Sequence, residues 1–375
     1  MFDVGQVFHL ELGGRLDADI AGGLDGDDDD FDWSGRRLEI AGSVMRRARF
    51  ELSREFGSNQ PWRDVFVEVD ATPAFGVRVG RFKVPFSDDR LRGLGKLDFV
   101  NRSFAARVLA WGRDDGVTAF GELGRKRVTY EVGAFRGALH EAGREDIIVR
   151  AEDPRPLGAG RVTLRPFVTR KDKGLSFRSL RVGASLFRGW NNSGFSTLDV
   201  RTIDGHEPLL DSYLVRGPRR GLGLEAQWSP GPVLLSAEWM DVHESRRGQA
   251  VDGGDLPDLI GHGWYTSAVW KAARLRGRDH SWLRQSLFRE LEIVGRLESI
   301  SLGTGGADAM AILHPRAERV PWQVLRALTL GGSWRLNRYG RIQMNAIAER
   351  PRATWWDVGD NGTRWSAVTR LQLQF

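Results

Sequence analysis

The side chains best suited to chemistry in this chain are guanidinium groups. Arg47 and Arg49 occupy alternate positions shortly after Arg37, and Arg364 and Arg370 share one alternating run at the end of the sequence. Arg90, Arg92, Lys96, Arg102 and Arg107 crowd into a single segment, and Arg296 lies in a run that alternates charged with apolar residues. A guanidinium is always charged and presents its N–H groups as a planar fork that matches an oxyanion. Fixed groups of this kind replace part of an ion's hydration, and they release the ion again when no single site is deep. That chemistry is the passage of small anions, and it needs no catalyst.

Other chemistries find little footing. Cysteine is absent, which removes disulfides, thiolate metal sites and cysteine nucleophiles. The histidines His9, His140, His206, His243, His262, His280 and His314 never fall into HxxH or HExxH spacing. The glycine-rich turns lack Walker spacing. No metal or cofactor is expected. Ser193, His206 and Asp211 can be strung into a triad on paper, but nothing in the sequence fixes their geometry. The acidic run GLDGDDDDFD (23–32) lacks EF-hand spacing and its closing Glu; it reads as a solvated loop, with calcium left open.

The 375 residues carry 55 Lys and Arg against 49 Asp and Glu, a net charge of +6. The basic residues sit on strand-like runs as well as in loops. That suits small anions or plain solvation rather than a basic tail, and no nucleic-acid partner is expected. Mean hydropathy is −0.37, and no apolar run approaches the length of a spanning helix. MFDVGQVFHL has neither a basic start nor a long apolar core, so it reads as the approach to a strand and not as a signal peptide.

Low hydropathy is also what a membrane β-barrel shows, because each strand turns one face to lipid and the other to water. In TRWSAVTRLQLQF (363–375), Trp365, Ala367, Leu371, Leu373 and Phe375 fall on one face, with Arg364, Ser366, Arg370, Gln372 and Gln374 on the other. The hairpin before it repeats the pattern. Leu328, Leu330, Trp334 and Leu336 alternate with Thr329, Ser333 and Arg335; after the turn NRYG, Ile342, Met344, Ala346 and Ala348 alternate with Gln343, Asn345 and Glu349. The same reading predicts sixteen strands, near 5–18, 36–44, 47–56, 63–70, 75–82, 116–123, 128–137, 160–169, 179–189, 220–229, 232–241, 261–272, 290–300, 326–337, 340–349 and 363–375. Pro166 interrupts the eighth. Connections after the second, fourth, sixth, tenth and fourteenth strands are very short, while those after odd strands are mostly long, the arrangement of outer-membrane barrels. The basic stretch 271–290 breaks the rule. Either a strand pair is missing there or that rim carries an insertion.

Alternation also sorts the charges. Leu38, Ile40 and Val44 face lipid, leaving Arg37 and Glu39 inward; Ala48, Phe50 and Leu52 face outward, leaving Arg47, Arg49 and Glu51 inward. Glu292, Arg296 and Glu298, and then Arg364 and Arg370, also face the lumen. An arginine facing lipid near the midplane would cost about 2–4 kcal/mol. The wall so made is either an anion-drawing surface or a lattice of ion pairs. Between the fifth and sixth strands, residues 83–115 are too long for a hairpin turn. They carry Leu91, Leu94, Leu97, Phe99, Val100, Phe104, Val108, Leu109 and Trp111, which need a surface to cover. Such a segment can fold into a barrel and constrict it.

GRFKVPF (80–86) resembles the Gly-Gln-Phe-Lys-Glu-Pro-Phe signature of the phosphate-selective porin family of Gram-negative outer membranes. The matching positions are Gly80, Phe82, Lys83, Pro85 and Phe86. GRRLEIAG (35–42), DVFVEVD (64–70), FVNRSFA (99–105), GWYTSAVW (263–270) and the last hairpin also resemble family stretches. The resemblance implies a single all-β domain over 1–375, a sixteen-stranded transmembrane antiparallel barrel with its third loop folded inward. It implies a homotrimer in the outer membrane, contacting lipid and passing small anions through each subunit. The family Gln is Arg81 here and the acidic residue is Val84, and the third loop nearly balances its charges, so phosphate specificity does not follow. The expected function is diffusion of small anions. The alternative is a porin-derived structural barrel that anchors partner proteins in a larger membrane assembly, and a barrel enzyme such as a lipase is the remote third reading.

Overall fold

A computed structural model describes residues 2–4, 7–23, 30–45, 47–58, 61–137, 139–141, 148–150, 155–168, 177–196, 198, 213–271, 291–305, 314–352 and 362–375. Its main sheet holds 17 strands, of which Phe2–Val4 folds back on the first residues of the next strand. The others form the ring: β1 (Phe8–Gly23), β2 (Asp30–Val44), β3 (Ala48–Glu55), β4 (Trp62–Thr72), β5 (Phe75–Lys83), β6 (Arg113–Leu123), β7 (Val128–Phe135) and β8 (Leu157–Leu164). It continues through β9 (Arg181–Phe195), β10 (Leu214–Trp228), β11 (Val233–Arg246), β12 (Leu256–Lys271), β13 (Leu291–Gly303), β14 (Gln323–Arg335), β15 (Gly340–Arg352) and β16 (Arg364–Gln374). Every neighbour pair is antiparallel. β16 closes on β1 from Ser366↔Gly23 to Gln374↔Arg15, so the sixteen-stranded sheet has no free edge.

All sixteen predicted strands are present, most of them longer toward the long-loop rim. β10 starts at Leu214 and β11 runs to Arg246 because Arg216 to Arg220 still pair with β11 beyond the apolar band, across a bulge. The eighth strand sits earlier than expected, at Leu157–Leu164, because Pro166 has no N–H to donate to a ladder. β12 pairs directly with β13 as far as Lys271↔Glu292, so no further strand pair enters the ring there. Residues 272–290 of the basic stretch lie outside the described residues, as do Asp25, Asp27, Asp28 and Asp29 of the acidic run and His206 and Asp211 of the paper triad.

The wall obeys the alternation. Leu12, Val67, Val79, Leu186, Leu297, Leu330 and Met344 are each at least half exposed in the single chain, on the outer face. Ser53, Thr118, Thr329, Gln343 and Asn345 are buried on the inner one. A second apolar cluster breaks the pattern. Met240, Val242, Leu259, Ile300, Leu302, Leu325 and Ala327 point inward from β11–β14 and pack with Val84, Phe86, Phe104, Leu109 and Trp111 of the segment that joins β5 to β6.

Candidate functional site: the barrel interior

The segment 84–112 begins at the family signature, and each signature residue has a mechanical task. Gly80 has φ +131°, and a Cβ there would lie 2.2 Å from the Val65 carbonyl oxygen, so only glycine fits the close approach of β4. The Phe82 ring meets Phe135 edge-on at 5.4 Å. The Val84 N–H donates to the Gly112 carbonyl at 3.0 Å and closes the neck of the segment. Pro85 cannot continue the ladder. Phe86 is fully buried against Phe187, with centroids 4.9 Å apart. Lys83 donates from Nζ to the carbonyls of Arg90, Leu91 and Arg92 at 2.8, 3.3 and 2.5 Å, tying down the end of α1 (Asp88–Leu91) where unpaired carbonyls gather.

From there the segment reaches strands far apart in the ring. The Asp88 carboxylate takes Arg161 of β8 and Arg181 of β9 at 2.7 Å each, and Arg92 at 3.2 Å. Burial raises the Asp88 carboxyl, but Arg181, Arg92 and Arg161 outweigh it and hold it below the usual carboxylate range. Burial pushes the Asp98 carboxyl up, and Arg92 offsets this only in part. Glu238 of β11 accepts from the Ser87 hydroxyl and the Asp89 N–H, both at 2.7 Å. Glu298 of β13 accepts from the Phe104 N–H at 2.6 Å, at the start of α2 (Phe104–Val108). Asn345 of β15 accepts from the Val100 N–H at 2.8 Å, and Arg370 of β16 donates to the Val100 carbonyl at 3.0 Å. Gly261 and Gly263 of β12 leave room for α2: a Cβ on Gly263 would stand 2.8 Å from that of Ala105.

Open space remains on the β1–β8 side. One cavity of about 670 Å³ touches Arg47, Arg49, Asp70, Arg78, Glu122, Glu131 and Arg161. A second, of about 610 Å³, touches Arg15, Arg37, Glu39, Glu51, Asp64, Lys83, Lys96 and Arg113. Arg78 borders both. It donates to Glu68 at 2.8 Å and Glu131 at 3.0 Å, and its guanidinium stands 5.0, 5.2 and 5.3 Å from the ring centres of Phe66, Phe82 and Phe120. Such a cage fixes the cation in place.

The basic residues named from the sequence thus divide. Arg37, Arg47, Arg49 and Lys96 border the cavities. Arg37 pairs with Glu55 at 3.0 Å, and Arg49 pairs with Asp70 at 2.8 Å and with Glu68. Arg47 lies in the β2–β3 turn, and Lys96 is exposed on the segment. Arg92 pairs with Asp88 and with Asp98. Arg90 and Arg102 are buried, and Arg102 donates to the carbonyls of Asp89 and Arg92. Arg107 lies over Phe104, its guanidinium 5.0 Å from the ring centre. Arg296 pairs with Glu298 at 2.9 Å and donates to the Asn101 carbonyl. Arg370 pairs with Asp19 at 2.6 Å, while Arg364 is half-buried at the far end of β16 opposite Glu349. Sequence reasoning passed over Arg15, Arg78 and Arg161, although their place on the inner face follows from alternation with Leu12, Val79 and Val162.

Comparison with known proteins agrees with this architecture. Over its full length the chain superposes on the outer-membrane-expressed OmpT of Vibrio cholerae, covering 100% of both chains with a TM-score of 0.63 at 9% identity. The outer membrane channel DcaP of Acinetobacter baumannii is matched over 100% of this chain and 99% of its own, with a TM-score of 0.59 at 12% identity. OprB of Pseudomonas putida is matched over 99% and 94%, with a TM-score of 0.57 at 11% identity. No curated protein matches the sequence closely enough to count as a relative. The family model described as phosphate-selective porin O and P matches residues 8–277. The chain therefore belongs to the phosphate-selective porin family, as an outer-membrane β-barrel of the Gram-negative type.

Proposed function

We propose that this porin lets small anions diffuse along the β1–β8 wall, past the segment 84–112, which fills the opposite side of the lumen and narrows it. The observation that carries the reading is the charge along the two cavities, where basic side chains outnumber acidic ones in each. Most of those cations already hold a carboxylate, so an oxyanion meets partly neutralised guanidiniums and binds weakly at each. Weak sites in series favour release, which suits diffusion more than tight phosphate capture. Arg47 and Lys96 are both exposed and neither makes an ion pair among the described residues, which leaves them open to a passing ion. We also propose a homotrimer; V. cholerae OmpT, solved in a trimer form, supports it. Catalysis plays no part in this reading.

Planar-bilayer recording tests it. Purified, folded protein should give stepwise conductance and a reversal potential displaced toward the anion in a KCl gradient. Arg49→Ala with Lys96→Ala should reduce that displacement. A second reading, a sealed structural barrel that anchors partners, is favoured by the number of hydrogen bonds that hold the segment 84–112 to the wall. Folded protein that never opens would select it.

A further inference from the structure

Two pairs of arginines on the outer wall oppose each other across neighbouring strands. Arg188 of β9 is the register partner of Arg220 of β10, and Arg326 of β14 is the partner of Arg350 of β15. All four are exposed, and none makes an ion pair among the described residues. Their direction follows from alternation with Leu186, Leu222, Leu330 and Met344, which are 60%, 45%, 54% and 58% exposed on the outer face. Like charges directly opposite on a sheet destabilise it unless an anion lies between them. Two such pairs, both left open, call for anions from outside the protein.

Their height on the barrel narrows the choice. Each arginine stands one outward position to the long-loop side of an aliphatic residue on its own strand, Leu186, Leu222, Leu328 and Ala348 respectively, with Trp190, Pro218 and Val324 one outward position further along β9, β10 and β14. Arg36 and Arg54 also stand exposed on that side, on β2 and β3, and Arg54 lies over Phe56 and Trp62. The short-turn edge is different. There the outward positions carry Phe75, Leu123, Leu164, Val182, Leu235 and Leu373. Outward arginines therefore gather on the long-loop side, beside the acids Asp241 and Asp258, while the short-turn edge is apolar. A ligand at Arg188 and Arg220 would rest on Leu186 and Leu222 at the same time, a surface shaped for phosphate esters joined to acyl chains and not for a free ion.

A cavity of about 460 Å³ opens at the first pair. Arg188, Arg220, Arg247 and His243 line it with Asp255 and Asp258. His243 is the register partner of Arg220, and its Nε2 lies 2.8 Å from Asp241. Asp241 also holds His262 at 2.6 Å and Asp255 accepts from the Gly248 N–H at 2.8 Å, so the open charges at the cavity are Arg188, Arg220 and Arg247 against Asp258, an excess of positive charge.

We infer that the Arg188–Arg220 and Arg326–Arg350 pairs dock the phosphate groups of a phosphorylated lipid in the leaflet on the long-loop side. The inference rests on the barrel fold and is independent of anion conduction, because these side chains lie outside the lumen. The test is native mass spectrometry of the full-length protein in detergent, titrated with diphosphoryl lipid A, with the same lipid stripped of its phosphates, and with inorganic phosphate alone. The protein should prefer the diphosphoryl form. Arg188→Gln with Arg220→Gln, and Arg326→Gln with Arg350→Gln, should each weaken it roughly tenfold, the scale of one lost charge-assisted contact. Arg188→Lys with Arg220→Lys should recover most of the binding. Single-channel conductance should stay at the parent value, which separates this result from a failure of the pore reading. Equal affinity for the two lipids, glutamine variants that bind as the parent does, or a folded lysine variant that stays as weak as glutamine would overturn the inference. So would inorganic phosphate that occupies the sites as well as the lipid, since it would mark them as free-ion sites.

Discussion

Lys83 directs its ammonium group at three consecutive backbone carbonyls, so its place in the family signature has a physical cause that anion binding does not supply. Lys83→Met keeps the stem and removes the donors. It should weaken the docking of residues 87–92 by about 1.5–3 kcal/mol, the scale of hydrogen bonds to a charged group. Hydrogen exchange of those amides measures the change, and unaltered protection would assign the lysine elsewhere. Asp88 supplies a pH test of the same corner. Its carboxyl is held below the usual range in the folded protein by Arg181, Arg92 and Arg161, which outweigh burial. A depressed value stabilises the docked state above the unfolded carboxyl's pKa of about 3.9, and that contribution fades as pH falls through the lower folded value. Protection of 87–92 should therefore hold from neutrality down to about pH 4 and drop below it. Loss of protection near pH 6 would show that the triple pairing does not control the segment.

In the proposed channel the segment 84–112 is the element that would limit pore size, and its fit against the wall is set by the smallest residues facing it. A Cβ on Gly263 would meet Ala105 Cβ at 2.8 Å and Leu109 Cδ1 at 2.9 Å, neither the far end of a long flexible chain. Gly263→Leu should push α2 off β12 while leaving the ladder of β12 intact. We expect a folded, heat-modifiable barrel with larger single-channel steps; steps of parent size would mean that this contact does not limit the path. The strands themselves were legible in the sequence because lipid imposes a period of two, as Leu38, Ile40 and Val44 or Leu371 and Leu373 show. The inner contacts were not legible. Met240, Val242, Leu259, Ile300 and Leu302 violate the polar-inside rule, because the docked segment packs on them together with Leu198, Tyr213 and Val320. The inward direction of Arg296 and Arg370 could be read from alternation, but not their partners, Asn101 and Val100, which are remote in sequence. Arg78 stayed hidden for another reason: its three aromatic neighbours come from β4, β5 and β6 and meet only when the ring forms.

At the scale of the whole molecule, the proposed anion preference would come from a summed field and not from one residue. The net charge of +6 is distributed over both walls and the rims, and the acids that pair with the lumen arginines leave a modest positive excess along the cavities. A field of that origin acts over a distance set by screening. The Debye length is about 30 Å at 0.01 M salt, comparable to the hydrocarbon thickness of a membrane, and about 3 Å at 1 M, comparable to a single hydrogen bond. In dilute salt an anion at either mouth should sense the excess along the whole path; in concentrated salt it should sense only the guanidinium it touches. Anion preference should therefore be strongest near 0.01 M KCl and fade steeply toward 1 M. Reversal potentials recorded at a fixed concentration ratio across that range measure it. A deep phosphate-binding site would behave differently, because contact pairing survives screening far better than a distributed field does. Preference that stayed constant with ionic strength would then point to contact recognition within the lumen and against diffusion past a weakly basic wall.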